Sequence, residues 1–175
     1  MRRTSLLLLA AVAPVAFANS NAGKKLYICT TPQPDDLDAT EFAALAWVLI
    51  KGVGSVGETG ASTNLLTYDT WDTDVTQKAK GITDGGSPEI ELTRILGDAG
   101  QTALEAAANT NLNYAFRIEG NDKPGVDVGD KPTYWYNRGL VVGPRTPNGR
   151  NEDFDLEIYS LGLNQKQIKV NAVQA

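Results

Sequence analysis

The stretch Asn113-Tyr-Ala-Phe-Arg-Ile-Glu-Gly120 alternates between apolar and polar side chains. Its large apolar side chains, Tyr114, Phe116 and Ile118, fall on one face of an extended chain, and a charged pair falls on the other face. This alternation predicts a β-strand that packs one face against a core and turns the other toward water. The same pattern recurs along most of the chain, so strands are expected to dominate the fold.

Several further segments have the composition of short strands and are separated by Gly- and Pro-rich turns. These segments are residues 25–31, 47–56, 65–71, 87–95, 133–143, 154–159 and 167–173. Together with residues 113–120 they give seven or eight strands, most with a half-polar face. We therefore predict a mainly β fold, an antiparallel β-sandwich or barrel of about eight strands.

One segment predicts a clear helix. Asp98 is a good N-cap, strong helix formers follow it, and Asn109 ends the run. Leu104 is the only large apolar side chain within a stripe of alanines, which favours a helix lying flat against a sheet. Residues 38–46 can add one or two helical turns. The predicted fold class thus includes one flanking α-helix.

Composition limits what the chain can do. It has 175 residues, with 16 Lys and Arg against 21 Asp and Glu, and a formal net charge of −5. This acidic balance argues against a nucleic-acid-reading surface. Histidine is absent, and Cys29 is the only cysteine. The chain therefore has no Ser-His-Asp or Cys-His nucleophile, no His-ligated zinc and no intrachain disulfide. We predict that it is not an enzyme.

Residues 1–18 stand apart from the rest of the chain. They begin with two arginines, continue with an uncharged apolar run from Leu6 to Val12, and end in Ala16-Phe-Ala18. That pattern is typical of a cleaved export signal, and the run is too short to span a membrane. Translation starting near Val15 is the alternative. Either way we assign residues 1–18 as a leader outside the fold and residues 19–175 as a single domain.

Three patterns imitate functional motifs. Gly52, Gly54 and Gly57 fit the G-x-G-x-x-G fingerprint, but no helical pattern follows, so we predict no bound cofactor. The aspartates of residues 69–74 lack the glycine and glutamate of a calcium loop, and we predict no metal site. Glu89 and Glu91 share one strand face rather than facing each other across a cleft, which argues against a glycosidase pair.

Taken in order, several strings resemble the major tail tube proteins of long, non-contractile-tailed bacteriophages. The strings are Asn19-Ser-Asn-Ala-Gly-Lys-Lys-Leu-Tyr-Ile28, Thr30-Thr-Pro-Gln-Pro34, Leu37-Asp-Ala-Thr-Glu-Phe42 with Trp47, the glycine-rich residues 52–60, Asn64-Leu-Leu-Thr-Tyr-Asp-Thr-Trp71 and Asp98-Ala-Gly-Gln-Thr-Ala-Leu-Glu105. The resemblance covers roughly residues 19–170 and is most specific in residues 19–108. Beyond residue 108 the chain matches in pattern only.

The resemblance implies a structural virion protein without a cofactor. It implies hexameric rings of this chain, stacked into a hollow tail tube through which DNA passes without specific binding. It also implies partners among the tape measure, tail terminator and tail-tip proteins, no membrane, and assembly in the bacterial host cytoplasm. The alternative, which takes the leader at face value, is an exported bacterial β-sandwich module of the adhesin or pilin kind.

Two sets of residues follow as hypotheses. A long glycine-rich loop is expected to contact the neighbouring ring through Lys51, Gly52, Gly54, Gly57, Glu58, Gly60 and Asn64. The strand glutamates Glu89, Glu91 and Glu119 are expected to face the lumen. Negative charge there would repel the phosphates of passing DNA and prevent adhesion.

Overall fold

The computed structural model describes residues 20–125 and 129–174, which form ten strands and two helices. The strands are β1 Lys25–Ile28, β2 Val48–Ile50, β3 Val53–Val56, β4 Ser62–Tyr68, β5 Gln77–Asp84, β6 Glu89–Thr93, β7 Tyr114–Glu119, β8 Tyr134–Arg145, β9 Leu156–Leu163 and β10 Ile168–Val170. The helices are α1 Ala39–Ala44 and α2 Ala99–Ala108. The leader assigned to residues 1–18 lies outside the described residues.

Eight strands form one antiparallel sheet in the order β2-β1-β7-β8-β9-β6-β3, with β10 paired to β8. The 12-residue β8 joins the two halves of this sheet. Its first residues pair with β7 and β10, and its later residues pair with β9, where Val141 lies opposite Leu161. The mainly β, antiparallel prediction is confirmed. Of its two versions, the closed barrel is not formed by the described strands.

The main core lies on one face of this sheet. Strands from both halves contribute buried side chains to it, among them Ile28, Phe116, Ile90 and Leu161. Helix α2 covers this core face and adds Leu104, which is completely buried. The glycine at position 100 permits the close approach of α2, because a Cβ there would overlap the backbone carbonyl of Leu49. The predicted flanking helix is therefore confirmed.

A second, smaller core lies on the opposite face, under α1. Phe42 of α1 stacks on Tyr136 with ring centroids 5.0 Å apart, and Trp47 packs against the same tyrosine. Asp38 caps α1 by accepting from the backbone N–H groups of Thr40 and Glu41. The single predicted helix thus has a short companion, at the position where the sequence allowed one or two turns.

The strand predicted over residues 47–56 forms two strands, β2 and β3, so the glycine-rich loop expected between Lys51 and Asn64 is not continuous. Val53–Val56 form strand β3, which pairs with β6. Gly57 continues this pairing, because its N–H donates to the carbonyl of Glu89 at 2.7 Å. The glycine-rich segment from Val53 to Gly57 is therefore bound along a sheet edge.

Candidate assembly interface

Strands β4 and β5 form a hairpin that is separate from the main sheet. They pair with each other and with no other described strand. Thr63 and Thr83 face each other across the base with their hydroxyl oxygens 2.9 Å apart, and Tyr68 lies opposite Gln77 near the far end. Every residue of β4 is exposed. The hairpin therefore buries little of itself against the domain that carries it.

Large apolar side chains lie exposed along this hairpin. Leu65 and Leu66 are each about half exposed, and they are adjacent in the strand, so they point to opposite faces. Tyr68 is 73% exposed and Ile82 is 88% exposed. A two-stranded ribbon is at best marginally stable alone in water, and clustered exposed apolar groups mark interaction surfaces. The hairpin is therefore a candidate surface for contact with another molecule.

The tip of the hairpin, residues 69–76, combines a fully exposed Trp71 with three aspartates. The hydroxyl oxygens of Thr70 and Thr73 lie 2.7 Å apart and close the turn. A hydrogen bond with Thr70 holds the pKa of Asp72 below its ordinary value. The tip is thus a defined turn that presents an indole among negative charges.

The root of the hairpin is fixed to the domain body. Gly86 accepts a hydrogen bond from the N–H of Leu163 at 3.0 Å, and Asp84 accepts one from the N–H of Gly86 at 3.0 Å. On the β4 side, Gln167 Nε2 donates to the hydroxyl of Thr59 at 2.7 Å. These bonds hold both ends of the arm against β9 and the segment before β10.

The residues expected to contact a neighbouring ring do not form one loop surface. Gly52 sits at the start of β3, where its carbonyl accepts from the N–H of Thr93 at 2.8 Å. Lys51 lies beside α2, with its Nζ 3.9 Å from Asp98 Oδ1. Gly54 and Gly57 follow the edge of β6, and residues 58–61, including Glu58 and Gly60, form the turn into β4. Asn64 belongs to the hairpin itself. Their contact with a neighbouring ring stays a prediction.

The three candidate lumen glutamates share one face of the sheet but not one position. Glu89 and Glu91 lie together on β6, and Glu119 lies on β7, three strands away. Arg145 pairs with Glu89. Lys25 pairs with Glu119 at 3.0 Å, and this hydrogen bond raises the pKa of Lys25. The side chain of Glu119 is only 18% exposed, so it adds less to a surface field than the β6 pair.

The aromatic run of β8 divides between the two faces, as alternation predicts. Tyr134 and Tyr136 lie on the α1 side, where the guanidinium of Arg117 sits 5.2 Å from the Tyr134 ring. Trp135 lies on the other side, with Lys24 Nζ 4.9 Å from its ring centroid. Arg138 is buried and donates to the carbonyl of Gln33 at 2.8 Å. The aromatic run therefore forms no single exposed face, because its side chains contact residues of their own domain on two sides of the sheet.

The sequence matches no family model and no curated protein. Solved structures do match. A chain of the SPP1 tail tube is 18% identical with a TM-score of 0.59, covering 86% of this chain and 78% of that one. This chain has the tail-tube fold. No group of residues suited to a metal ion occurs within residues 20–125 and 129–174.

Contractile injection systems contain chains with the same tail-tube fold. A chain of the PVC sheath/tube terminator in its extended state is 11% identical with a TM-score of 0.63, covering 90% of this chain and 99% of that one. A chain of the extended PVC sheath-tube complex is 12% identical with a TM-score of 0.59, covering 97% and 99%. No described helix is long and apolar enough to cross a membrane.

Sequence reasoning missed the hairpin as a unit. It predicted a strand over residues 65–71 but assigned no strand to residues 77–84, which form β5. Gln77-Lys-Ala-Lys-Gly-Ile-Thr-Asp84 has one large apolar side chain and therefore no core-facing stripe. One signal was available in the sequence. The polar run of residues 77–84 follows a strand, residues 65–71, that is apolar on both faces, and this combination is typical of a hairpin outside the core.

Proposed function

We propose that this chain is a structural virion protein that polymerises as stacked hexameric rings into a phage tail tube, the conduit for DNA delivery. One observation carries the proposal: the tail-tube fold of this chain bears a hairpin that pairs with no other described strand and leaves its large apolar side chains exposed. A ring needs a surface on each copy that is complementary to a different surface on the next copy. A projecting arm supplies one half of such a contact.

The charge of the chain suits a conduit. A formal net charge of −5 and a sheet face bearing Glu89 and Glu91 favour transport of DNA over adhesion to it. On this proposal the partners are further copies of the chain, the tape measure protein, the tail terminator and the tail-tip proteins, and no membrane is involved. The location is the virion tail, after assembly in the bacterial host cytoplasm.

Electron microscopy of the purified full chain tests the proposal. Concentrated protein should form rings or tubes of uniform width with a central channel. A matched variant, in which Leu65, Leu66 and Ile82 are replaced by serine, should remain monomeric because the apolar surface of the arm is removed. Wild-type protein that stays monomeric in sedimentation over the full accessible concentration range would contradict the proposal.

A further inference from the structure

We propose that Trp71 at the tip of the hairpin of one copy inserts into a cleft between β3 and β1 of a second copy. In this contact the tip aspartates of the first copy face the lysines of that cleft. The inference rests on the proposed function, which it deepens by naming the two surfaces that meet. The hairpin tip is residues 69–76, and the cleft is lined by β3 together with residues of β1, β7 and β8.

The tip has the features of an anchor. Trp71 projects fully into solvent, and Val75 is 72% exposed beside it. Tryptophan is enriched among the residues that dominate interface energies, since it removes a large apolar area from water with few rotatable bonds. The tip contains no lysine or arginine, and Asp69, Asp72 and Asp74 make no ion pair with any described residue.

The cleft offers a volume of about 410 Å³, which is within the range of binding sites for compact organic groups. Its apolar lining includes the buried Leu26 and the half-buried Ile118, and Trp135 provides an aromatic wall. This lining lets an indole exchange contact with water for contact with carbon and a ring edge. The space is more than one tryptophan side chain requires.

The charges at the cleft complement those of the tip. Lys24 and Lys25 line the cleft, and Lys169 approaches the other side of the same indole, 5.9 Å from the Trp135 centroid. Lys25 is compensated by Glu119, whereas Lys24 makes no ion pair with any described residue. An acidic tip and a basic cleft attract each other and oppose tip-to-tip or cleft-to-cleft pairing, which favours head-to-tail association.

Photocrosslinking identifies what the tip touches. Position 71 is replaced by p-benzoylphenylalanine, which keeps an aromatic side chain, and the variant is polymerised with ¹⁵N-labelled wild-type chain. We expect crosslinks to labelled peptides containing residues 21–26, 53–59 or 135. Crosslinks confined to the same chain, to residues 1–19 or to any other surface of the second copy would overturn the inference.

Substitutions in the tip and in the cleft measure how much this contact contributes to polymerisation. Trp71→Ala and Lys24→Glu should each raise the critical concentration for polymerisation roughly tenfold or more, as expected for interface anchors. Lys131→Glu, the same charge change at another exposed lysine, should leave it unchanged. Circular dichroism melting of each monomer is the control for folding. The melting temperatures should be unchanged, because all three side chains are exposed.

Assembly of wild type and of Trp71→Ala separates failure of the proposed function from failure of the tip contact. If wild-type chain forms no rings or tubes under any condition, the proposed function fails together with this inference. If wild-type chain assembles and Trp71→Ala assembles equally well, the proposed function stands and the docking of the tip into the cleft is wrong.

Discussion

At the residue scale, Gln101 joins helix α2 to the sheet. Its Nε2 donates to the carbonyls of Lys51 at 2.8 Å and Thr93 at 2.9 Å, and its Oε1 accepts from the N–H of Ile95 at 2.9 Å. The side chain is buried, so these bonds form away from competing water. One polar side chain thereby satisfies backbone groups beside the helix, just before β3 begins and where β6 ends.

Gln101→Leu should destabilise the domain, because it keeps the volume but leaves the three backbone groups without this partner. At about 1 kcal/mol for each lost bond, the loss is about 3 kcal/mol. Thermal unfolding should show a melting temperature lower by roughly 6–12 °C for a chain of this size. Glu105→Ala, an exposed change on the same helix, is the control and should shift little. Equal melting temperatures for Gln101→Leu and wild type would show that the network contributes nothing.

Residues whose role follows from the local sequence pattern were predicted well. Residues that hydrogen-bond across the fold, such as Gln101, were not. Asp98 was identified as an N-cap, and it accepts from the N–H of Gln101 at 3.0 Å. The bonds of Gln101 have no comparable local signature, and one of its partners comes from a distant part of the chain. Lys51 lies 50 residues away from it. The local sequence pattern predicts helix caps and buried faces, whereas contacts between distant segments depend on the completed fold.

At the element scale, helix α2 and the hairpin differ in how much of each is buried in the core. Helix α2 is held by Leu104 and Ala107, both buried in the main core. The hairpin strands β4 and β5 have seven and eight residues, and β4 has no buried residue. The periodic core elements were predictable because their apolar faces repeat with the strand or helix period. The hairpin was not, because its apolar residues serve no core of its own chain.

Leu104→Ala should cost roughly 2–5 kcal/mol, the sum of lost transfer energy and the cavity left in the core. The melting temperature of the monomer should fall accordingly, since the helix docks on its own domain. Asp98→Ala serves as the milder comparison and should cost about 1 kcal/mol through loss of the cap. A Leu104→Ala monomer that melts within about a degree of wild type would mean that the helix is not anchored by this residue.

Hydrogen exchange should separate the hairpin from the rest of the sheet. In monomers, the amides of β4 and β5 should exchange much faster than those of β7 and β8, because the hairpin lacks a packed face. In assembled tubes the hairpin amides should become protected as partner copies cover them. The amides of β7 provide an internal reference. Hairpin protection that is already high in monomers would indicate that the arm folds back on its own domain.

At the scale of the whole molecule, charge is arranged unequally over the sheet. Glu91 makes no ion pair with any described residue, whereas Glu89 is paired with Arg145 and Glu119 with Lys25. The acidic composition was readable from the sequence. The pairing that cancels part of that charge was not, because Arg145 and Glu89 belong to strands that are distant in sequence.

Charge reversal at Glu89 and Glu91 to lysine should slow or arrest DNA ejection while leaving tail length intact. Each added charge attracts phosphate by about 1 kcal/mol at 4 Å in water, and the stacked rings repeat it many times. Ejection rates of phage particles carrying the variant would be compared with those carrying Glu152→Lys, an exposed change in the loop before β9. Unchanged kinetics would place the two glutamates away from the DNA path.

The central claim is that copies of this chain stack as rings around an open channel. A cryo-electron microscopy reconstruction of the assembled full chain tests it most directly. We expect six copies in each ring, stacked rings joined through the hairpins, and a channel wide enough for duplex DNA. Closed dimers, a solid fibre, or an assembly in which the hairpins contact no other copy would contradict it.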